Sequence, residues 1–335
     1  MSGGVDSSVA AAMLRDAGHD VTGVTLKLWG GDSDSGCCSV ADVEDARRVA
    51  QQLDLPHYVF NLTEEFDDRV VHPYVAAYAA GRTPNPCVEC NRSVKWGLLL
   101  ERCRAMGFDA LATGHHARIE RDAAGRAWIT RGADGAKDQS YVLSVLAGAA
   151  IADTLLPVGD LTKAEVRARA EALGLRTASK AESMDVCFIR RDERGSFLRG
   201  RVPAAPGPIV DVDGRPIGEH DGVAGFTIGQ RRGTGVAAGE RRYVVDLDVT
   251  TSTVVIGRRE DLLRDRIDLT GLTPTHDPIA AGTRVLVQTS AHGEPVGAVL
   301  DGDTVHLDVA RPRVAPGQVV ALYDGDRVVA GAYAA

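Results

Sequence analysis

Six cysteines stand at positions 37, 38, 87, 90, 103 and 187 of a 335-residue chain. Cys87 and Cys90 fall in Thr83-Pro84-Asn85-Pro86-Cys87-Val88-Glu89-Cys90-Asn91, and Cys187 in Asp185-Val186-Cys187-Phe188-Ile189. A thiolate is a nucleophile and a metal ligand, and two of them can exchange into a disulfide. The first residues lack the basic region and apolar run of a secretion signal, so catalysis, metal ligation or simple burial fit these cysteines better than structural disulfides. Cys87 and Cys90 have the spacing of half a zinc site, but no second close Cys/His pair completes it. Cys37-Cys38 reads as part of a structural loop, and Cys103, within a helical stretch, as a small buried apolar residue.

A second kind of chemistry is written in Ser2-Gly3-Gly4-Val5-Asp6-Ser7-Ser8, which runs directly into an apolar-faced helix. Two glycines permit a tight turn, and hydroxyls and N–H groups at a helix N-terminus surround an anion. A Gly-Lys-Ser/Thr ending is absent, so this is a phosphate loop of a different kind from the Walker type.

The elements that must carry these groups alternate. Helical spacing appears over 7–16, after Ser39 as a cap, through Phe66, Val70, Val71, Tyr74 and Tyr78, and over 93–106. Short β-rich runs lie between them at 21–28, 57–61 and 110–113. Such alternation predicts a parallel sheet covered on both faces, with ligands at the carboxyl ends of its strands. Near residue 200 the texture changes to Pro- and Gly-rich turns. From about 265, alternating runs at 283–288, 297–300, 304–309 and 318–323 predict a small antiparallel barrel.

Composition narrows the partners. The net charge of −8 argues against coating nucleic acid by charge alone, and aromatics at 5% argue against a broad base-stacking platform. Two basic clusters, arginines 190, 191, 194, 199 and 201, and 231, 232, 241 and 242, are either solvated faces or a local RNA surface. No run approaches the roughly 20 apolar residues of a membrane span, which points to a cytoplasmic protein without a membrane partner.

The loop at residues 2–8 resembles the PP-loop of ATP pyrophosphatases. Together with Ala112-Thr113-Gly114-His115-His116, Lys137-Asp138-Gln139-Ser140-Tyr141, Gly218-Glu219-His220, Thr227-Ile228-Gly229-Gln230-Arg231 and Pro316-Gly317-Gln318, the cysteine motifs resemble the bacterial tRNA-specific 2-thiouridylases (the MnmA/TrmU family) over nearly the whole chain. The resemblance implies an α/β, adenine-nucleotide-alpha-hydrolase-like PP-loop domain over 1–195, a β-rich central domain over 196–262 and a C-terminal β-barrel over 263–335. In that family a hydrophobic strand precedes the loop. Here the sequence opens on the loop, so the first strand is expected to be missing from the sheet.

The resemblance also implies roles. Ser2, Gly3, Gly4, Val5, Asp6 and Ser7 hold the phosphates of ATP, which comes with Mg2+, and Leu26 and Gly114 line the adenine pocket. Asp6, Cys90 and Cys187 are the catalytic residues: Cys90 as the nucleophilic thiol, Cys187 as the carrier of a persulfide. Asn85, Pro86, Cys87, His115, Lys137, Asp138, Gln139, Ser290, Ala291 and Gln318 face tRNA. A cysteine desulfurase or a sulfur-relay protein supplies the sulfur.

Two departures from the family pattern carry weight. Many members have Asp where this chain has Cys87, so Cys87, Cys90 and Cys187 could together ligate a [4Fe–4S] cluster with one open iron. That arrangement and the persulfide relay use the same thiols differently. At 290–292 an Arg common in the family is replaced by Ser290-Ala291-His292. Two other readings stay open at this level: a PP-loop ligase of the amidotransferase-type synthetase class, and a non-catalytic RNA-binding protein with a relic ATP loop.

Overall fold

Apolar residues at helical spacing wind the segment after the loop into α1, Val5–Asp16, and bury Val9 and Ala12 completely. The computed structural model describes residues 1–29, 39–181, 188–189, 193–236 and 240–335. Their packing groups into two units: Met1–Val70 with Cys87–Arg191 and Asp326–Val329, and Val71–Pro86 with Asp192–Gly325 and Ala330–Ala335.

In the first unit, strand β1, Gly23–Lys27, pairs in parallel with β2, His57–Asn61. A second parallel pair joins Leu111–Ala112 to Thr154–Leu155. Among the described residues no strand links the two pairs. Helix α2, Val40–Gln52, starts where expected: Ser39 Oγ accepts from the Asp42 N–H. Val9, Ala12, Val49, Val166 and Ala170 form one core that packs α1 and α2 against the helix Lys163–Ala172. Each fully buried Val in such a core contributes roughly 1.5–3 kcal/mol. The expected helix over 93–106 is longer. It runs from Pro86 to Ala105, and its middle, Cys90–Leu99, is wound as a π-helix. π-helical turns are rare and concentrate at functional sites. An antiparallel hairpin, Ala117–Arg121 with Ala127–Arg131, completes this unit, with Arg327 opposite Thr130.

The second unit holds two sheets. One has four strands in the order Pro216–His220, Gly207–Asp211, Thr253–Gly257, Tyr243–Asp248. The other is the expected barrel. Leu263–Pro274, Thr304–Pro312, Val296–Asp301, Thr283–Gln288, Val319–Asp324 and Arg327–Ala334 are bonded in that order. The last strand returns to the first through Leu269↔Ala334 and Thr270↔Tyr333, closing six strands with no open edge. Among the described residues no helix is long and apolar enough to cross a membrane.

Candidate active site

The chain enters α1 through Gly3, at φ +68°, a left-handed conformation that glycine adopts without strain. Gly3 also presses on the backbone of Asp42: a Cβ there would stand 2.3 Å from the Asp42 carbonyl oxygen. The loop is tied internally, with Ser2 N–H donating to Ser7 Oγ at 3.1 Å and Ser8 Oγ to the Gly4 carbonyl at 2.8 Å. The N-cap of α1 is Gly4, and no side chain caps it. By contrast, Ser39 caps α2 and Thr162 caps Lys163–Ala172 in a reciprocal capping box with Glu165. The first N–H groups of α1 have no intrahelical acceptors. A helix start without a side-chain cap, entered through a glycine turn, is a ready anion site.

Asp6 lies in the first turn of α1. Its carboxylate accepts from Lys163 Nζ at 2.7 Å on both oxygens and from His116 Nε2 at 3.1 Å. Burial alone would raise its pKa, but the bonds from His116 and Lys163 and the Lys163 charge outweigh burial and hold it below the usual carboxylate value. Asp6 is therefore ionised at neutral pH.

The turn at 113–116 forms the opposite wall. Gly114 meets the loop so closely that a Cβ would lie 2.6 Å from the Asp6 carbonyl carbon and the Ser7 nitrogen. Thr113 Oγ1 and His115 Nδ1 are 2.7 Å apart, and the His115 ring lies 5.5 Å from that of Trp96. Burial, reinforced by the nearby Lys95 charge, holds the His115 pKa well below its ordinary value, so the ring is neutral at pH 7. Trp96 in turn donates to Thr154 Oγ1 at 2.7 Å.

Trp96 belongs to the π-wound segment that begins at Cys90, so the helix carrying that thiol is docked on the same turn that contacts Asp6. Cys90 is buried and Cys87 partly exposed, both as thiols. Their i, i+3 spacing places them on one helix face. Asn91, next to Cys90, accepts from Lys95 Nζ at 2.8 Å and donates to the Val142 carbonyl at 3.1 Å. Cys187, like Cys37 and Cys38, lies outside the described residues. Its neighbours Phe188 and Ile189 are buried, with the Phe188 ring 5.6 Å from Phe66. On the other side of that segment, Lys180 Nζ bridges Asp42 at 2.6 Å and Asp45 at 2.7 Å. Those two carboxylates more than offset burial and raise the Lys180 pKa. Among the described residues no cluster of three or more His, Cys, Asp or Glu side chains is arranged to hold a metal.

The other expected site residues are spread over both units. Leu26 is half-buried near the carboxyl end of β1. Asp138 is buried and committed to the protein, accepting from Arg131 at 3.0 Å, Gly132 N–H at 3.0 Å, and Ser140 N–H at 3.1 Å and Oγ at 2.7 Å. Its part is to shape the turn that presents Lys137 and Gln139, whose Oε1 accepts from the His116 N–H at 2.9 Å. In the second unit Gln318 donates to the Thr83 carbonyl at 2.7 Å, while Thr83 N–H donates to the Pro316 carbonyl at 2.7 Å. Gln318 thus braces the loop that leads to Asn85 and Pro86. Ser290 and Ala291 form a barrel turn held by the buried Gln288 amide, 2.9 Å from the Ser290 carbonyl. In the first basic cluster, Arg201 stacks over Phe197 at 4.0 Å.

No sequence motif marks Lys163, and His116 stands out only as the neighbour of His115. Lys163 lies 157 positions from Asp6 in sequence, and no local spacing links the two.

Three family models match the chain in series: a tRNA methyl transferase HUP domain over residues 1–191, a tRNA methyl transferase PRC-barrel domain over 195–258, and an aminomethyltransferase beta-barrel domain over 269–333. A tRNA-specific 2-thiouridylase of Chloroflexus aggregans is 46% identical over 347 residues, covering 100% of this chain and 97% of that protein. This chain belongs to the tRNA-specific 2-thiouridylase family. A second such 2-thiouridylase, from Beutenbergia cavernae, is 47% identical over 349 residues, covering 98% of this chain and 92% of its own length. Among solved structures, the NMN synthetase of Francisella tularensis aligns with a TM-score of 0.34 at 20% identity, over 61% of this chain and 76% of its own, a likeness too distant to carry an argument. As a 2-thiouridylase family member the chain has a PP-loop domain, a PRC-barrel-like domain and a terminal barrel, in that order.

Proposed function

We propose that this chain, a tRNA-uridine 2-sulfurtransferase by family, thiolates C2 of the wobble uridine in tRNAs of the Lys, Glu and Gln type, using ATP. The uncapped start of α1 binds the ATP phosphates, with Mg2+ arriving on the nucleotide. The uridine O2 attacks the α-phosphorus, the bond to the bridging oxygen breaks, and pyrophosphate leaves with the electron pair. The uridine N3 proton is released. Adenylation makes O2 a good leaving group, lowering a barrier that a bare carbonyl oxygen imposes.

Sulfur then enters through the cysteines. A persulfide on Cys187 attacks C2 and AMP departs. The Cys90 thiolate next attacks the Cys187 sulfur, which forms a Cys90–Cys187 disulfide and leaves both electrons of the broken S–S bond on the thiouridine sulfur. A reductant then restores the two thiols. In the second arrangement Cys87, Cys90 and Cys187 would hold a [4Fe–4S] cluster, which would supply a sulfide. The shared helix face of Cys87 and Cys90 suits two of its three ligands. A cytoplasmic cysteine desulfurase or relay protein provides the sulfur.

The observation that carries this reading is the common footing of the two chemistries. The Asp6 loop and the π-wound segment that begins at Cys90 both rest on the turn at 113–116. Incubation with MgATP, a persulfide donor and unmodified tRNA, followed by digestion and mass spectrometry, tests it. The expected product is 2-thiouridine, with AMP released in step. AMP without thiolation would point instead to a ligase. Anaerobic purification with iron and sulfide analysis separates the two sulfur carriers: iron-free protein that is active with a persulfide removes the cluster.

A further inference from the structure

We propose that Lys163 positions the α-phosphate of ATP during adenylation, and that Asp6 holds it ready before nucleotide arrives. This deepens the reading above and rests on it. Lys163 is the first residue of the helix Lys163–Ala172. The positive end of a helix dipole disfavours a cation at that position. Everything else about the residue is fixed. Its N–H donates to Asp134 Oδ2 at 2.9 Å, and the Thr162–Glu165 capping box locks the turn. Only the four-carbon side chain can swing, and its ammonium is a mobile point charge on that stem.

The ammonium now lies 2.7 Å from both Asp6 oxygens. Two helix starts and a lysine therefore converge on one carboxylate, itself at the phosphate loop. His116 fills the third side. Its ring is 4% exposed, Nε2 faces Asp6, and buried Nδ1 has no partner among the described residues. The Asp6 side chain is 30% exposed and that of Lys163 13%, so an incoming group reaches the carboxylate first. MgATP brings a cation that competes for Asp6 and phosphates that compete for Lys163. Exchanging partners keeps every charge paired at each stage. Lys163 makes and breaks no covalent bond and stays protonated; it meets the charge that builds on the non-bridging α-phosphate oxygens.

The test uses the full chain with MgATP and tRNA transcript, comparing wild type, K163Q and K163R. Removing one such donor should lower kcat for tRNA-dependent AMP formation about 10²–10³-fold, while KM for ATP shifts less than about fivefold. K163R should recover at least about tenfold of the loss but with altered geometry. The second readout is the preference between Rp and Sp ATPαS, which a purely structural lysine would not move: wild type should discriminate, and K163Q should not. An unchanged kcat, a loss confined to KM, or a retained diastereomer preference in K163Q overturns the proposal. If circular dichroism shows K163Q unfolded, K163R decides: an unaltered preference there overturns it. Wild type that forms no AMP with tRNA would instead remove the ATP reading itself, and this proposal with it.

Discussion

Replacing Gly114 by alanine tests whether the site depends on the close approach of two backbones. The new Cβ would stand 2.6 Å from the Asp6 carbonyl carbon and the Ser7 nitrogen, and 2.9 Å from Asp6 Cβ. Ordinary contact between such atoms is about 3.5 Å, so loop and turn must part by about 0.9 Å. Neither side yields easily. Asp6 is held by Lys163 and His116, and the turn is packed on Trp96. Overpacking of this kind costs about 1–3 kcal/mol, which for a unit of this size lowers Tm by about 2–12 °C. Displacing a positioned group by about 1 Å costs about 100-fold in rate. Thermal melts with AMP-release kinetics read both effects, and G135A, where nothing lies within 4 Å of the added Cβ, is the control. A G114A protein that melts within about 1 °C of wild type and keeps its AMP rate within about twofold would refute the steric argument.

The other predictions are simpler. Cys90→Ser should abolish 2-thiouridine while leaving Tm and tRNA-dependent AMP formation near wild type; a C90S protein that still thiolates would exclude Cys90 as the releasing thiol. Asp138→Ala removes a buried partner of Arg131 and three further bonds in a buried site, so urea unfolding should show a loss of about 3–5 kcal/mol. A loss under about 1 kcal/mol would mean that solvent replaces those bonds. Stability should also fall as pH drops below about 6.5. His115 stays neutral in the folded state because its pKa is depressed, whereas the unfolded chain takes up the proton below that pH. The unfolded state then binds more protons, so stability declines by at most about 1.4 kcal/mol per pH unit, and H115F should flatten that part of a Tm-versus-pH curve.

Much of this architecture was legible in the residues. The N-terminal helix, the Ser39 cap and all four late strand runs appear close to their expected places, because each is specified by local spacing and capping chemistry. The π-wound middle of Cys90–Leu99 was not, since its apolar spacing also suits an ordinary helix. Nor was the hairpin of Ala117–Arg121 and Ala127–Arg131, whose five-residue strands are short and whose first is largely polar. At the site, the glycine loop announces itself because a tight turn demands glycine. Nothing in the local spacing around Asp138 shows that its oxygens bind Arg131, Gly132 and Ser140 in its own turn. Lys163 was invisible for a plain reason: an ion pair between distant helices leaves no periodic trace.

Closure of the barrel has a consequence for how the protein is made. The strand that seals it, Arg327–Ala334, pairs with Leu263–Pro274, laid down some sixty residues earlier. During synthesis the earlier strands wait with two unpaired borders until residue 334 leaves the ribosome. Those borders are templates for wrong partners in the meantime. Messages cut short inside that final stretch should therefore yield aggregates.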